Sequence, residues 1–305
     1  GNETLEAVFS NQSMSAMLRA EALRTLASQK APELKKSVIA GLDDKADEVS
    51  TAALEILASS DTEKAILAIE SRIGGEASTP VKQHAIRQIP GVEGSTLMRD
   101  LVDQLTEGTL DVALQLDVFE AASEGVFAKD ETLVGKLAAL TAEWTSAAAK
   151  DPLAPFLITK EGGDAKRGKS VFMNHPAAQC IRCHKVQDGK GSNVGPNMKS
   201  IGRKKDRQYI LESLVDPQKV IAKGYGNISL TLKDGSSVAG QFRSEKDGAV
   251  TLRDIENKET VIPADKIESR SPIISTMPPM AFILQKGELR DVIAYLASLK
   301  AEDKK

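Results

Sequence analysis

Cys180-Ile181-Arg182-Cys183-His184 is the stretch on which the reading of this chain turns. It holds both cysteines of the protein, three positions apart, with one of its three histidines directly after them. Two thiols at this spacing can each add to one vinyl group of a single porphyrin. The next side chain then reaches under the ring, where its imidazole Nε2 meets the iron. The spacing therefore predicts one covalently attached haem c, bound through Cys180 and Cys183, with His184 as the proximal ligand. Three other uses of two cysteines compete. A redox pair would sit at a helix N-terminus after a strand, and the residues before Cys180 do not read as a strand. A zinc site needs four tetrahedral ligands; adjacent Cys183 and His184 point in different directions, and only His175 is placed to complete the set. A disulfide here would close a short, strained four-residue loop.

Outward from this motif the chain is that of a globular protein. It has 305 residues, 41% hydrophobic and 27% charged, with no apolar run long enough for a membrane span. Length alone admits two or three domains. A start at Gly1-Asn2 reads as a mature or trimmed chain. The net charge of −3 conceals a split. Residues 1–160 hold 15 Lys and Arg against 25 Asp and Glu, a balance of −10, and residues 161–305 hold 25 against 18, a balance of +7. Two domains with different partners are expected from it, although solvated faces of unlike charge also explain such a split.

Upstream, residues 1–150 are rich in Ala and Leu at helical spacing. Helices are expected over Ala16–Ala27, Glu33–Gly41, Glu48–Ala58, Glu63–Gly74, Pro80–Ile89, Ser95–Glu107, Thr109–Ala122 and Glu131–Ala149, with Ser and Asp as N-caps and Asp, Ser, Gly and Pro between them. The segment repeats itself: Arg19–Ala27 is echoed by Ser50–Ala58, and more weakly by Lys82–Ile89 and Leu114–Ala121. Leu23, Leu54, Ile86 and Val118 stand 31, 32 and 32 residues apart. Helix pairs at this period resemble HEAT-type repeats, and predict an α-solenoid of about four units rather than an ordinary bundle. His84 reads as a structural histidine, and Trp144 as packing for the last helix.

Asp151-Pro152 and Pro155 break the helices, and residues 151–163 read as a linker. From Asp164 the sequence resembles a class I cytochrome c. In that family the N-terminal helix carries a glycine and an aromatic residue one turn apart, matched by Gly168 and Phe172. They face the C-terminal helix, expected at about Lys286–Lys300, through Val292 and Tyr295. Gly195-Pro196-Asn197-Met198 resembles the family's loop, twelve residues past the histidine. The resemblance implies that the Pro196 carbonyl accepts from the proximal imidazole's Nδ1–H. Arg203 is implied at the haem propionates, although an exposed basic cluster, Arg203-Lys204-Lys205, explains it as well.

Residues 224–270 interrupt this pattern. Ile228, Leu230 and Leu232 alternate, as do Val238, Gly240 and Phe242, then Val250 and Leu252, followed by Thr260–Ile262 and Ile267. Asp234-Gly235 and Asp247-Gly248 supply turns. Antiparallel strands are expected, closing into a small inserted SH3-like or Sm-like barrel. The cytochrome pattern resumes at Thr276-Met-Pro-Pro-Met280, where two methionines compete as distal ligand. Pro278 and Pro279 restrict the backbone beside Met277, which favours Met277 and leaves Met280 to packing.

Repeats, motif, β insertion and Met-Pro before a Tyr-Leu-Ala-Ser-Leu helix together resemble a bacterial haem-binding domain family, found as C-terminal parts of exported proteins. The expected architecture is mainly α: HEAT-like repeats over 1–150, the linker 151–163, and a cytochrome c domain over 164–305. The expected function is electron transfer by one haem c with His184 and Met277 on the iron. The family implies an associated or fused dehydrogenase as electron donor and a periplasmic or otherwise extracytoplasmic location. Lys185, Lys190, Lys199, Arg203, Lys204 and Lys205 would orient a partner with an acidic face. No nucleic-acid partner is expected. The competing function is a haem with an open or labile sixth site for peroxide chemistry or gas binding. That site would want a distal His or Arg, and His175 is badly placed for it.

Overall fold

The structure is a computed structural model and describes residues 1–92, 96–186 and 189–302. It divides into two compact units, Gly1–Ser146 and Ala147–Lys305.

The first unit is a run of helices: α1 Asn2–Ser10, α2 Ala16–Ser28, α3 Leu34–Leu42, α4 Asp47–Ser60, α5 Thr62–Gly74, α6 Thr79–Gln88, α7 Leu97–Glu107, α8 Gln115–Ala121 and α9 Glu131–Ala147. Local chemistry starts them. Ser15, Asp61 and Ser78 cap α2, α5 and α6 by accepting from Leu18, Lys64 and Val81 amides. The repeat read from the sequence is a repeat of the core. Leu23, Leu54, Ile86 and Val118, on α2, α4, α6 and α8, are all fully buried. Polar contacts recur at the same offset. Arg24 pairs with Glu55, 31 residues on, Arg87 with Asp117, 30 residues on, and Arg99 with Asp130, 31 residues on. Gln83 donates to the Ala113 carbonyl at 2.8 Å. Each unit of the repeat is thus bonded to its neighbour, as a solenoid requires. Trp144 of α9 packs on Phe119 of α8 with ring centroids 5.3 Å apart.

Some boundaries differ from expectation. Helix α1 was not expected. Ser95, the expected start of α7, lies outside the described residues. The helix expected over Thr109–Ala122 forms only from Gln115. Before it, Asp111 accepts from the Ala113 amide, and Leu110 bonds back to Gln104 at the end of α7. An Asp side chain closing a local turn competes with the helix ladder.

The second unit begins at Ala147 and so takes in the whole stretch expected as a linker. Residues 154–159 form a 3₁₀ turn, and Leu153 and Phe156 are buried in the unit's core. Leu153, Phe156 and Ile158 are the reason: all three are buried, and burying them outweighs the freedom of a linker. The core is built by α10 Ala165–Asn174, α11 Ile201–Lys204, α12 Arg207–Val215 and α13 Lys286–Ser298. Helices α10 and α13 cross at Gly168, where a Cβ would stand 1.8 Å from the Asp291 carbonyl oxygen and 2.9 Å from Tyr295 Cβ. One turn on, Phe172 meets Tyr295 edge to face, with centroids 5.6 Å apart. Asp164 caps α10 and donates its own amide to Asp291 at 2.8 Å.

Between α12 and α13 lies one antiparallel sheet: β1 Asn227–Leu232, β2 Ser237–Lys246, β3 Ala249–Arg253, β4 Glu259–Ile262 and β5 Ile267–Arg270, in the order β4-β3-β2-β1-β5. Asp247 and Gly248 both take positive φ in the turn joining β2 and β3, as a two-residue hairpin turn demands. The sheet is open, which corrects the expectation of a closed barrel. β4 and β5 have four residues each and follow one another through the 3₁₀ turn Ala264–Lys266. They pair with β3 and β1 respectively. With both ends of the order so short, the sheet keeps two edges. Ile228, Leu230, Val250 and Leu252 form its small core.

Candidate functional site

Helix α10 ends at His175, whose Nδ1 accepts from the Ala177 and Ala178 amides at 3.3 and 3.0 Å. The chain then turns at Gln179, in the left-handed region at φ 44°. A 3₁₀ turn over Cys180–Arg182 follows, and the Cys183 and His184 amides both donate to the Cys180 carbonyl, at 3.1 and 2.9 Å. This short turn brings the two thiols and the imidazole together. Cys180 is buried and Cys183 exposed, both as free thiols. Burial pushes the Cys180 thiol up to about 11.

The imidazole is held from behind. His184 Nδ1 lies 2.8 Å from the Pro196 carbonyl oxygen. A carbonyl only accepts, so Nδ1 must carry the proton and donate. The lone pair then resides on Nε2, the tautomer that a metal-binding histidine needs. Burial lowers the pKa of His184, with the Pro196 bond acting in the opposite sense. The Phe172 ring flanks it at 6.5 Å.

The loop carrying Pro196 fits tightly against the motif. Gly195 donates its amide to the Cys183 carbonyl at 2.6 Å, and a Cβ there would stand 2.7 Å from the imidazole Cε1. Gly191, at φ 105°, lies so close that a Cβ would meet the His184 carbonyl at 2.0 Å. Ser192 Oγ donates to the Arg182 carbonyl at 2.5 Å, and Met198 N to the Lys185 carbonyl at 2.8 Å. Gly191 and Ser192 were not singled out in the sequence. Gly189-Lys-Gly191 was the available signal, a pair of glycines where the chain must pass close to another backbone.

Met277 is half-buried and packs against the second-unit core, while Met280 is buried within it on the 3₁₀ turn Met280–Phe282. The Met277 segment is clasped. Gln218 Nε2 donates to the Ser275 carbonyl at 3.0 Å, and its Oε1 accepts from the Ser275 amide at 2.9 Å. Met277 N donates to Ser275 Oγ at 3.2 Å. Arg203 lies on α11 and is exposed, as are Lys190, Lys204 and Lys205, whereas Lys185 and Lys199 are half-buried. The Lys205 ammonium sits over the Tyr209 ring at 4.0 Å.

The donor set can be weighed against the groups it was expected to hold. Among the described residues no three His, Cys, Asp or Glu side chains gather as a metal-binding cluster, and His175 Nδ1 is occupied by two amides. The residues fit the demands of a haem: two free thiols flank an imidazole whose proton is held on Nδ1, and the Met277 thioether sits on a restrained segment. Exposed Ile273, Ile274, Phe282 and Ile283 lie on either side of that segment in the chain, apolar surface of the kind a large flat ligand covers.

No helix of the described residues is long and apolar enough to cross a membrane. Against known families, residues 3–90 match HEAT repeats. The N-terminal region of this protein is therefore a HEAT-repeat region.

Proposed function

We propose that this protein is a c-type cytochrome that transfers single electrons, with its HEAT-repeat region serving as a protein-docking or spacer surface. In this reading the second unit is a class I cytochrome c fold carrying the open sheet as an insertion. Cys180 and Cys183 would hold one haem by thioether bonds, and His184 Nε2 and the Met277 thioether would ligate its iron. The bound group would supply a one-electron Fe(III)/Fe(II) couple.

The chain's own residues have separate tasks. Pro196 holds the proton of His184 on Nδ1 and, by accepting that bond, raises the basicity of Nε2. Gly191 and Gly195 let the loop come close enough to do so. Gln218 restrains Met277 by fixing the backbone two residues before it. The observation that carries the reading is the His184–Pro196 hydrogen bond inside a C-x-x-C-H motif. A disulfide use of the same cysteines gives that bond no task.

The electron donor is proposed to be a dehydrogenase, associated or fused, with an acidic docking face, in an extracytoplasmic compartment. The test is a denaturing gel stained for haem after production in a host that matures c-type cytochromes. A haem band is expected for the unaltered protein and none for Cys180→Ser with Cys183→Ser. An unaltered protein without a band would end the proposal.

A further inference from the structure

The inserted sheet makes contacts that neither its own core nor the docking of a partner explains. On β2, Gln241 faces Arg253 of β3 in register, and it is only 9% exposed. Arg253 donates from Nε and Nη2 to the Gln241 side-chain oxygen. That fixes which way the amide points. Its NH₂ must face the other way, and it donates to the Val194 carbonyl at 2.6 Å. Arg253 Nη2 also reaches the Asn193 carbonyl at 3.2 Å. Its guanidinium lies 5.9 Å from the centre of the Tyr225 ring. Two strand residues thus grip two consecutive carbonyls, and the next residues are Gly195, against the imidazole, and Pro196, which accepts from it.

The same sheet is tied to the methionine segment. Asn227 at the start of β1 exchanges both backbone hydrogen bonds with Ile274, at 2.7 and 2.9 Å, three residues before Met277. The sheet therefore spans from the segment that orients His184 to the segment that carries Met277.

We propose that the inserted sheet is a brace for the imidazole, with Gln241 as a positioning residue that keeps the Pro196 carbonyl on His184 Nδ1. The statement about the imidazole stands on contacts within this chain; its consequence for iron ligation rests on the proposed function above. A buried side-chain amide that both accepts and donates is expensive to leave half-bonded. Removing its donor frees the 193–196 loop to move off the ring.

The test uses the full chain with Gln241→Glu. This substitution keeps size and the Arg253 partner but sets a carboxylate oxygen against the Val194 carbonyl. Arg253→Lys, which loses the fork but keeps the charge, is the second variant. Amide hydrogen exchange and imidazole nitrogen shifts are read on both. The Gly195 amide is expected to exchange about tenfold faster in Gln241→Glu, with the His184 ring signals shifted and the amides of α10 and α13 unchanged. In haem-loaded protein the midpoint potential is expected to move as well. Unchanged Gly195 exchange and ring signals in both variants would overturn the brace. So would equal acceleration throughout the second unit, which marks general loosening. The two proposals separate cleanly: no haem band with a responsive Gly195 sinks the cytochrome reading alone, and a haem band with an unresponsive Gly195 sinks the brace alone.

Discussion

Gly168→Ala tests the packing on which the second unit depends. The added Cβ would stand 1.8 Å from the Asp291 carbonyl oxygen, 2.4 Å from its carbon and 2.9 Å from Tyr295 Cβ. Carbon and oxygen settle no closer than about 3.3 Å, so the helices must part by roughly 1.5 Å at the crossing. The neighbouring atoms are backbone, which cannot swing aside as a side-chain tip would. Parting the helices loosens the Phe172–Tyr295 edge contact and the Arg167–Asp291 ion pair, now at 2.9 Å. Overpacking costs about 1–3 kcal/mol, and weakening a bond to a buried carboxylate adds about 1.5 kcal/mol. Alanine returns about 1 kcal/mol through helix propensity. The net expectation is a loss of about 1.5–3.5 kcal/mol, centred near 2.5 and so roughly seventyfold in the opening equilibrium. Hydrogen exchange read by mass spectrometry on peptides from α10 and α13 measures it under native conditions. Gly135→Ala on α9, where a Cβ meets nothing within 4 Å, is the control and should leave protection level or slightly raised. If α13 protection fell less than about fivefold in Gly168→Ala, the close crossing would not carry the unit's stability.

Three further outcomes are expected. Met277→Ala should abolish the weak long-wavelength methionine–iron absorption of the ferric protein and admit added ligands, whereas Met280→Ala should keep the band and lose stability by about 2–4 kcal/mol as a core truncation; the reverse spectral pattern would transfer the ligand to Met280. In the first unit, burial pushes the Asp44 carboxyl up, but bonds from Arg19 and the Ala46 amide outweigh it and hold the pKa below its usual 3.8. That stabilisation is present above about pH 4 and fades as pH falls further. Asp44→Asn should therefore cost about 2 kcal/mol at pH 6, a cost that shrinks as pH falls below 4, in urea unfolding, and a pH-independent difference would refute the pairing argument. Reduction by an acidic donor protein should slow as ionic strength rises, because a basic rim acts through screened, long-range attraction. A rate indifferent to salt would reduce Lys190, Arg203, Lys204 and Lys205 to a solvated face.

Much of this protein is legible without a structure, because the legible features are local or periodic. Leu23, Leu54, Ile86 and Val118 announce the repeat by spacing alone. A stacked unit must bury the same position each time, and each of these is fully buried. The C-x-x-C-H spacing and the alternation of β1 to β3 are legible for the same reason: each reflects one turn or one pleat, whereas Gly168 and Phe172 were picked out by resemblance. Short-range competition already blurs the picture. Asp111 takes the first turn from the helix expected at Thr109, and Leu153 and Phe156, on either side of Pro155, are drawn out of the expected linker into a core.

What the sequence could not decide is what distant segments do to one another. Nothing local states that β4 and β5 bond only inward and leave the sheet open. Nothing marks Gln241 and Arg253, 47 and 60 residues from the carbonyls they hold, as anything but polar strand residues. The His184–Pro196 bond could be expected only by resemblance, and the hold of the sheet on that loop not at all. Periodicity reports which face of an element is buried. Which side chain meets which carbonyl follows only once tertiary packing has brought the loop and the strand within hydrogen-bonding distance.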